Sequence, residues 1–298
     1  MSSKEVKMNK IIHDNGLTPQ RFFNLAPLLA NKLRACYAKL ADSGRQFLGS
    51  SNQFGDQTLV ADWELEEAVI QFWKSTKFPI GWITEEHGIF DLEGAQYIAY
   101  VDGLDGSAVY LAGEGGRCGT MLGLYDAHWS NFGGYIGSLL VDYGCIASSG
   151  GNNLVAARDL GAWVDPRAQG QYERIRVNPN YRSLVAYADL YFESVSRAAE
   201  KLDEVKFTYL EASLPYYIDL AQGYSWLVLE CTRKHSLEIA AAYPLVHEAK
   251  GVIVDLITGR DLGKMSRGLA ESNNRLIVST TDLQIASKVR ERLLVDKR

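Results

Sequence analysis

The most constraining feature of this chain is an apolar strand that runs without a break into a glycine-bracketed acidic turn. Gln96-Tyr97-Ile98-Ala99-Tyr100-Val101 has the β-branched and aromatic residues of a strand, and Asp102-Gly103-Leu104-Asp105-Gly106-Ser107 follows directly. Two carboxylates three residues apart in a tight turn repel each other unless a cation lies between them. The glycines let the backbone bend and let the Leu104 carbonyl turn toward the same point. Hard oxygen ligands of this kind suit Mg²⁺ or Mn²⁺ rather than zinc. The plainer alternative is a loop whose aspartates cap the next element.

The flanking pattern alternates helices and strands. Phe22, Ala26, Leu29, Leu33, Cys36 and Leu40 recur at spacings of three and four, which predicts an amphipathic helix with Pro27 in its first turn or at a kink. A second helix is expected over Leu59 to Ser75, with Leu65, Val69 and Phe72 on one face, and a short strand over Ile80 to Thr84. Residues 119–165 read as a β-meander: Gly119 to Tyr125, Gly133 to Val141, Cys145 to Ala147 and Leu154 to Ala157, separated by turn formers. Pro and Gly between Asp165 and Asn180 suggest a boundary, so the chain divides into an N-terminal α+β half, 1–175, and a C-terminal half, 176–298. The second half is expected to hold a strand over Ser183 to Ala188, helices over Phe192 to Leu202 and Glu238 to Ala249, and a strand over Val252 to Leu256. A terminal helix through Leu294 is expected, capped by Ser279-Thr280.

Further acids fall near strand ends and helix starts. Glu85 and Glu86 follow the Ile80–Thr84 strand, Asp62 opens a helix, and Glu238 opens an apolar, Ala-rich one. Singly, Asp62 and Glu238 fit the acids that the helix dipole favours, and Glu85-Glu86 a solvated turn. As an ordered set, TEEHG, VDGLDGS and LEIAAAYPLVHEAKGVIVD resemble the inositol monophosphatase and fructose-1,6-bisphosphatase superfamily of metal-dependent, often lithium-sensitive phosphatases, from about Phe22 to the C-terminus. Three departures stand out. Gly103 occupies a position where the family usually has Pro, Leu237-Glu238 replaces the Trp-Asp of the inositol monophosphatase branch, and Val109 stands near that branch's usual Asn.

The resemblance implies a layered α-β-α-β-α sandwich, often dimeric, that hydrolyses a small phosphate monoester with two or three Mg²⁺ ions, Mn²⁺ being a possible substitute. It implies that Glu85, Asp102 and the Leu104 carbonyl hold one metal, that Asp102, Asp105 and Glu238 hold another, and that Glu86 assists. It gives Ser107, oriented by Asp62, the proton of the attacking water. Gly106 and Ser107 would meet phosphate oxygens, and Ser213 and Glu230 substrate hydroxyls. Arg117, Arg233, Lys234 and His235 are candidates for a second anionic group. His87 and His247 are expected to be packed or solvated.

The formal net charge of −5 and the lack of a Lys/Arg run argue against a nucleic-acid polymer or an anionic membrane as partner. Cys36, Cys118, Cys145 and Cys231 are too dispersed for a disulfide framework or zinc site, and fit reduced thiols in the cytoplasm. No stretch approaches a membrane span, and the first residues lack the apolar run of a secretory signal. Three other functions stay open at this level: a 3′-nucleotidase or specialised biosynthetic phosphatase of the same superfamily, a non-catalytic metabolite-binding relative, and a Ca²⁺-binding structural module.

Overall fold

A computed structural model describes residues 16–113, 116–144, 151–180, 185–233, 236–268 and 274–294, and these form two mixed sheets and seven α-helices. In chain order the helices are α1 (Pro19–Leu40), α2 (Val60–Thr76), α3 (Ser107–Ala112), α4 (Glu193–Lys201), α5 (Leu214–Ala221), α6 (Leu237–Glu248) and α7 (Leu283–Leu294). A small hairpin, β1 (Phe47–Ser51) and β2 (Gln57–Leu59), precedes α2. The first sheet holds β3 (Ile80–Thr84), β4 (Ile89–Phe90), β5 (Tyr97–Asp105), β6 (Gly119–Asp126), β7 (Tyr135–Asp142), β8 (Asn153–Ala157), β9 (Gly161–Asp165) and β10 (Glu173–Ile175), in the order β10-β9-β8-β7-β6-β5-β3-β4. The second holds β11 (Val185–Ala188), β12 (Phe207–Thr208), β13 (Ser225–Cys231), β14 (Val252–Asp255), β15 (Arg260–Asp261) and β16 (Leu276–Thr280), in the order β12-β11-β13-β16-β14-β15.

Side-chain alternation sorts the first sheet's two faces. On β6, Leu122 and Leu124 join the core beneath α1 and α2, whereas Met121 and Tyr125 turn to the opposite face. That second face meets α5 and α6, which also pack on the second sheet through Val228, Ile253 and Ile277. The far face of the second sheet is covered by α4 and α7 through Val195, Ala198, Ile285 and Val289. The result is the expected α-β-α-β-α layering. One core runs through the middle layer, so the two halves of the chain share buried surface. α6 is apolar on all sides because it lies between two sheets, with only its first turn reaching the site.

The meander is present as β6 to β9, all antiparallel. The strand expected at Cys145–Ala147 and the first residues of the one at Ser183 lie outside the described residues. Of the two places expected for Pro27, the first turn is excluded, since it sits well inside α1. One local expectation needs correction. Ser279 and Thr280 belong to β16 rather than to a cap; Asp282 Oδ1 instead accepts from the Gln284 and Ile285 amides at the start of α7. Among the described residues no helix is long and apolar enough to cross a membrane. Cys36, Cys118 and Cys231 are free thiols.

Candidate metal and active site

The acidic turn is part of β5. That strand continues through Asp105, pairing Asp102 with Met121 and Asp105 with Gly119, so β5 carries one more residue than β6 across this interval. In a regular strand, residues three apart point to opposite faces. The bulge removes that alternation and brings both aspartates to one side. Glu238, from the first turn of α6, joins them, and the candidate ligand atoms of Asp102, Asp105 and Glu238 lie within 4.8 Å of one another. All three residues are buried.

Backbone and hydroxyl groups hold this cluster in place. Asp105 accepts from the Ser213 amide at 3.1 Å and from the Leu214 amide at 2.6 Å, where α5 begins. Thr120 donates its hydroxyl to the Gly103 carbonyl at 2.7 Å. Gly103 lies directly on α2: a Cβ there would stand 2.3 Å from the Asp62 carbonyl oxygen. Its missing side chain is what lets the turn approach that helix. Gly106, with a φ of +88°, turns the chain from β5 into α3. There the Ser107 hydroxyl donates to Asp62 Oδ1 at 2.8 Å and lies 2.9 Å from the Leu104 carbonyl oxygen.

Glu85 and Glu86 approach from the end of β3. Asn52 Nδ2 donates to Glu86 Oε1 at 3.1 Å and more distantly to Glu85 Oε1 at 3.4 Å, and the Thr58 hydroxyl donates to Glu86 Oε2. The turn rests on Glu66, a fully buried side chain of α2. Asp62, Glu66, Val69 and Trp73 form one buried stripe of that helix, at helical spacing. Glu66 was not singled out by sequence reasoning. The visible signal was an acid on the helix face otherwise read as apolar, four residues after Asp62.

A cavity of about 1030 Å³ opens over these groups. Asp56, Asp62, Glu85, Glu86, Asp102, Asp105, Glu211 and Glu238 line it, and the single cationic side chain among its described lining residues is Arg233. Arg233 Nη2 lies 3.5 Å from Glu238 Oε1 and 3.7 Å from Asp189 Oδ2, and the guanidinium packs over Phe192. One cation does not balance eight carboxylates. Burial pushes the Asp62 carboxyl up to about 8, with the Ser107 hydroxyl opposing and Glu85 and Glu86 adding to the rise. Burial, followed by the charge of Glu238, pushes Asp105 up to about 6 against its two amide bonds. A donor set made only of oxygens, crowded and short of positive charge, fits hard divalent cations.

Every sequence-predicted ligand, together with Asp62, Gly106 and Ser107, therefore lines one cavity. Ser213 and Glu230 do not. Ser213 is buried and contributes its backbone amide to Asp105, while Glu230 is buried and accepts from the Tyr217 hydroxyl. Arg117 is likewise withdrawn: its guanidinium is held by Asp142 at 3.0 Å and Asp219 at 2.7 Å. Lys234 and His235 lie outside the described residues. His87 stacks on Trp63 and His247 on Tyr243, so both are packed.

The chain has the layered fold of the inositol monophosphatase and fructose-1,6-bisphosphatase superfamily. It is similar to an inositol monophosphatase from Anabaena (Nostoc) sp. PCC 7120 (15% identity, 92% of this chain and 96% of that one, TM-score 0.67). It is also similar to an IMPase from Thermotoga maritima (17%, 91% and 96%, TM-score 0.68). A third structure, described as an inositol monophosphatase-fructose 1,6 bisphosphatase, matches at 19% identity over 98% and 100% of the chains, with TM-score 0.64. No protein-family model and no curated protein matches the chain. At these identities the likeness is one of fold, and the chemistry rests on this chain's own residues.

Proposed function

We propose that this protein is a Mg²⁺-dependent phosphatase that hydrolyses a small phosphate monoester of a polyol, inositol or sugar. The observation that carries the reading is the gathering of Asp102, Asp105 and Glu238 within 4.8 Å beside a Ser107 hydroxyl already bonded to Asp62. Glu85, Asp102 and the Leu104 carbonyl would hold one cation; Asp102, Asp105 and Glu238 would hold a second; Glu86 would hold a third or steady the first. When bound, such ions lower the pKa of a coordinated water and offset charge on the phosphoryl group. Mn²⁺ is expected to substitute, since the donors are all hard oxygens.

The protein's own residues orient and desolvate. Asp62 fixes the Ser107 hydroxyl, whose remaining lone pair can accept a hydrogen bond from the attacking water. Gly106 and Ser107 lie where the phosphoryl group would rest. Arg233 faces the cavity and is placed to meet an anionic part of the substrate. The reading carries with it a homodimer in the cytoplasm that acts on a small phosphorylated metabolite.

A second reading, a 3′-nucleotidase, is favoured by the aromatic part of the cavity lining. Phe54, Tyr191, Phe192 and Tyr209 all contribute to it, and such rings offer a planar base a stacking surface. Phosphate release from a panel of sugar, inositol and nucleotide phosphates, with Mg²⁺ and with EDTA, tests both. Release from a polyol or sugar phosphate only with metal supports the first reading, and preference for a nucleotide the second. Metal binding without release from any member sinks both.

A further inference from the structure

The cavity's acids reach the site from separate elements, and something must set the position of Glu85 and Glu86, which stand on a turn rather than inside a strand or helix. The groups that meet that turn come largely from one side chain. Glu66 Oε2 accepts the Glu85 amide at 3.0 Å and the Glu86 amide at 3.1 Å. Glu66 Oε1 accepts the His87 amide at 2.7 Å and lies 2.6 Å from His87 Nδ1. Three consecutive backbone amides and one ring nitrogen thus converge on a single buried carboxylate. His87 is fixed in turn by Trp63, its ring centroid 3.8 Å away. Its Nε2 lies 3.2 Å from Glu67 Oε2 but off the angle that a hydrogen bond requires.

A buried carboxylate that collects backbone amides is a rigid anchor, because releasing any one donor leaves a buried polar group unsatisfied. The anchor sits one helical turn from Asp62, which orients Ser107, and the same turn of α2 supports Gly103 between Asp102 and Leu104. A single turn of helix therefore touches the Glu85–Glu86 turn, the Asp102–Leu104 segment and the Ser107 hydroxyl. We infer that Glu66 is a positioning residue for metal binding: it presets the Glu85–Glu86 carboxylates in register with Asp102, without touching metal or substrate itself. The inference rests on the metal site of the proposed function.

Glu66→Gln tests it with little change in volume. The amide keeps one acceptor oxygen but turns an NH₂ group toward amides that need an acceptor. Mn²⁺ binding, measured by calorimetry on the full-length protein, is compared for wild type, Glu66→Gln, Glu85→Gln and the double variant. Circular dichroism and Tm serve as fold controls. Loss of an outer partner of a metal ligand weakens affinity by about 10–100-fold, and that is the expected result for Glu66→Gln. In the double variant the loss is expected to be well short of the product of the single losses, because both act through one carboxylate turn. Glu66→Asp, which keeps an acceptor-only carboxylate, is expected to recover part of the affinity, and replaces Glu66→Gln in the cycle if the latter does not fold. Wild-type affinity in the folded Glu66 variant, or losses that multiply fully, would overturn the positioning role while leaving the metal site intact. No Mn²⁺ binding by the wild type would overturn both.

Discussion

Two acidic regions of this molecule are built on opposite principles. Around Arg117, charge is closed: Asp142 and Asp219 hold its guanidinium, Tyr187 donates its hydroxyl to Asp219, and Arg34 donates to the Asp142 carbonyl. Among the described residues that line the cavity, eight carboxylates face one arginine, and the groups that restrain them are mainly amides and hydroxyls. Hydrogen bonds orient carboxylates but supply no countercharge. The first region ties the segment that enters β6 to β7 and α5. In the proposed reading, a cation from outside completes the second. Buried acid alone does not mark a site; acid held rigidly and left short of positive charge does.

The contrast can be broken experimentally, and the largest effect is expected where charge is open. Asp102→Asn is expected to take Mg²⁺-dependent phosphate release to near background with Tm unchanged or raised, because the variant removes repulsion along with a ligand. A fall in Tm with turnover retained would make Asp102 structural. Ser107→Ala is expected to cut kcat by about 10²–10⁴-fold, the usual worth of a positioned proton-transfer group, with Mn²⁺ affinity nearly unchanged by calorimetry. Equal losses in both would reduce Ser107 to a structural role.

In the closed region the effect is expected in stability. Arg117→Ala leaves Asp142 and Asp219 facing each other without their cation, and should cost about 3 kcal/mol in denaturant unfolding. Mg²⁺ at a hundredfold excess over its dissociation constant should stabilise the wild type by about 2.7 kcal/mol, an increment that Asp102→Asn should lose and Arg117→Ala should keep. The smallest effect is expected at the cavity's arginine: Arg233→Ala should raise KM severalfold for a substrate with a second anionic group and leave that for a singly phosphorylated polyol nearly unchanged. Equal KM values for both would remove Arg233 from recognition.

Much of this was legible from local pattern. The strand that runs into Asp102 announced itself by its β-branched and aromatic residues, and the meander by turn formers between apolar runs. Asp62, Glu85 and Glu238 read singly as ordinary helix-start or turn acids, and only their order with Asp102 and Asp105, through the family resemblance, marked them as a set. What stayed hidden depends on contacts distant in sequence. The β5 bulge requires knowing that Met121 and Gly119 lie opposite Asp102 and Asp105. Ser213 and Glu230 looked like substrate contacts by resemblance, yet tertiary packing gives Ser213 to Asp105 and Glu230 to Tyr217. Glu66 was masked by the leucine–valine–phenylalanine periodicity around it, which reads as core unless the amides of a turn some twenty residues away are known to point at it. Ser279-Thr280 has the chemistry of a cap, but pairing with β14 keeps both in the strand, and the cap moves to Asp282.

The most direct measurement is phosphate release by wild type and Asp102→Asn side by side, each with saturating Mg²⁺ and with EDTA, across the substrate panel. The account predicts turnover of at least one monoester by wild type with Mg²⁺, and background in the other three conditions. Turnover that persists in EDTA, or that survives in Asp102→Asn, would contradict a metal-dependent phosphatase centred on the acidic turn of β5.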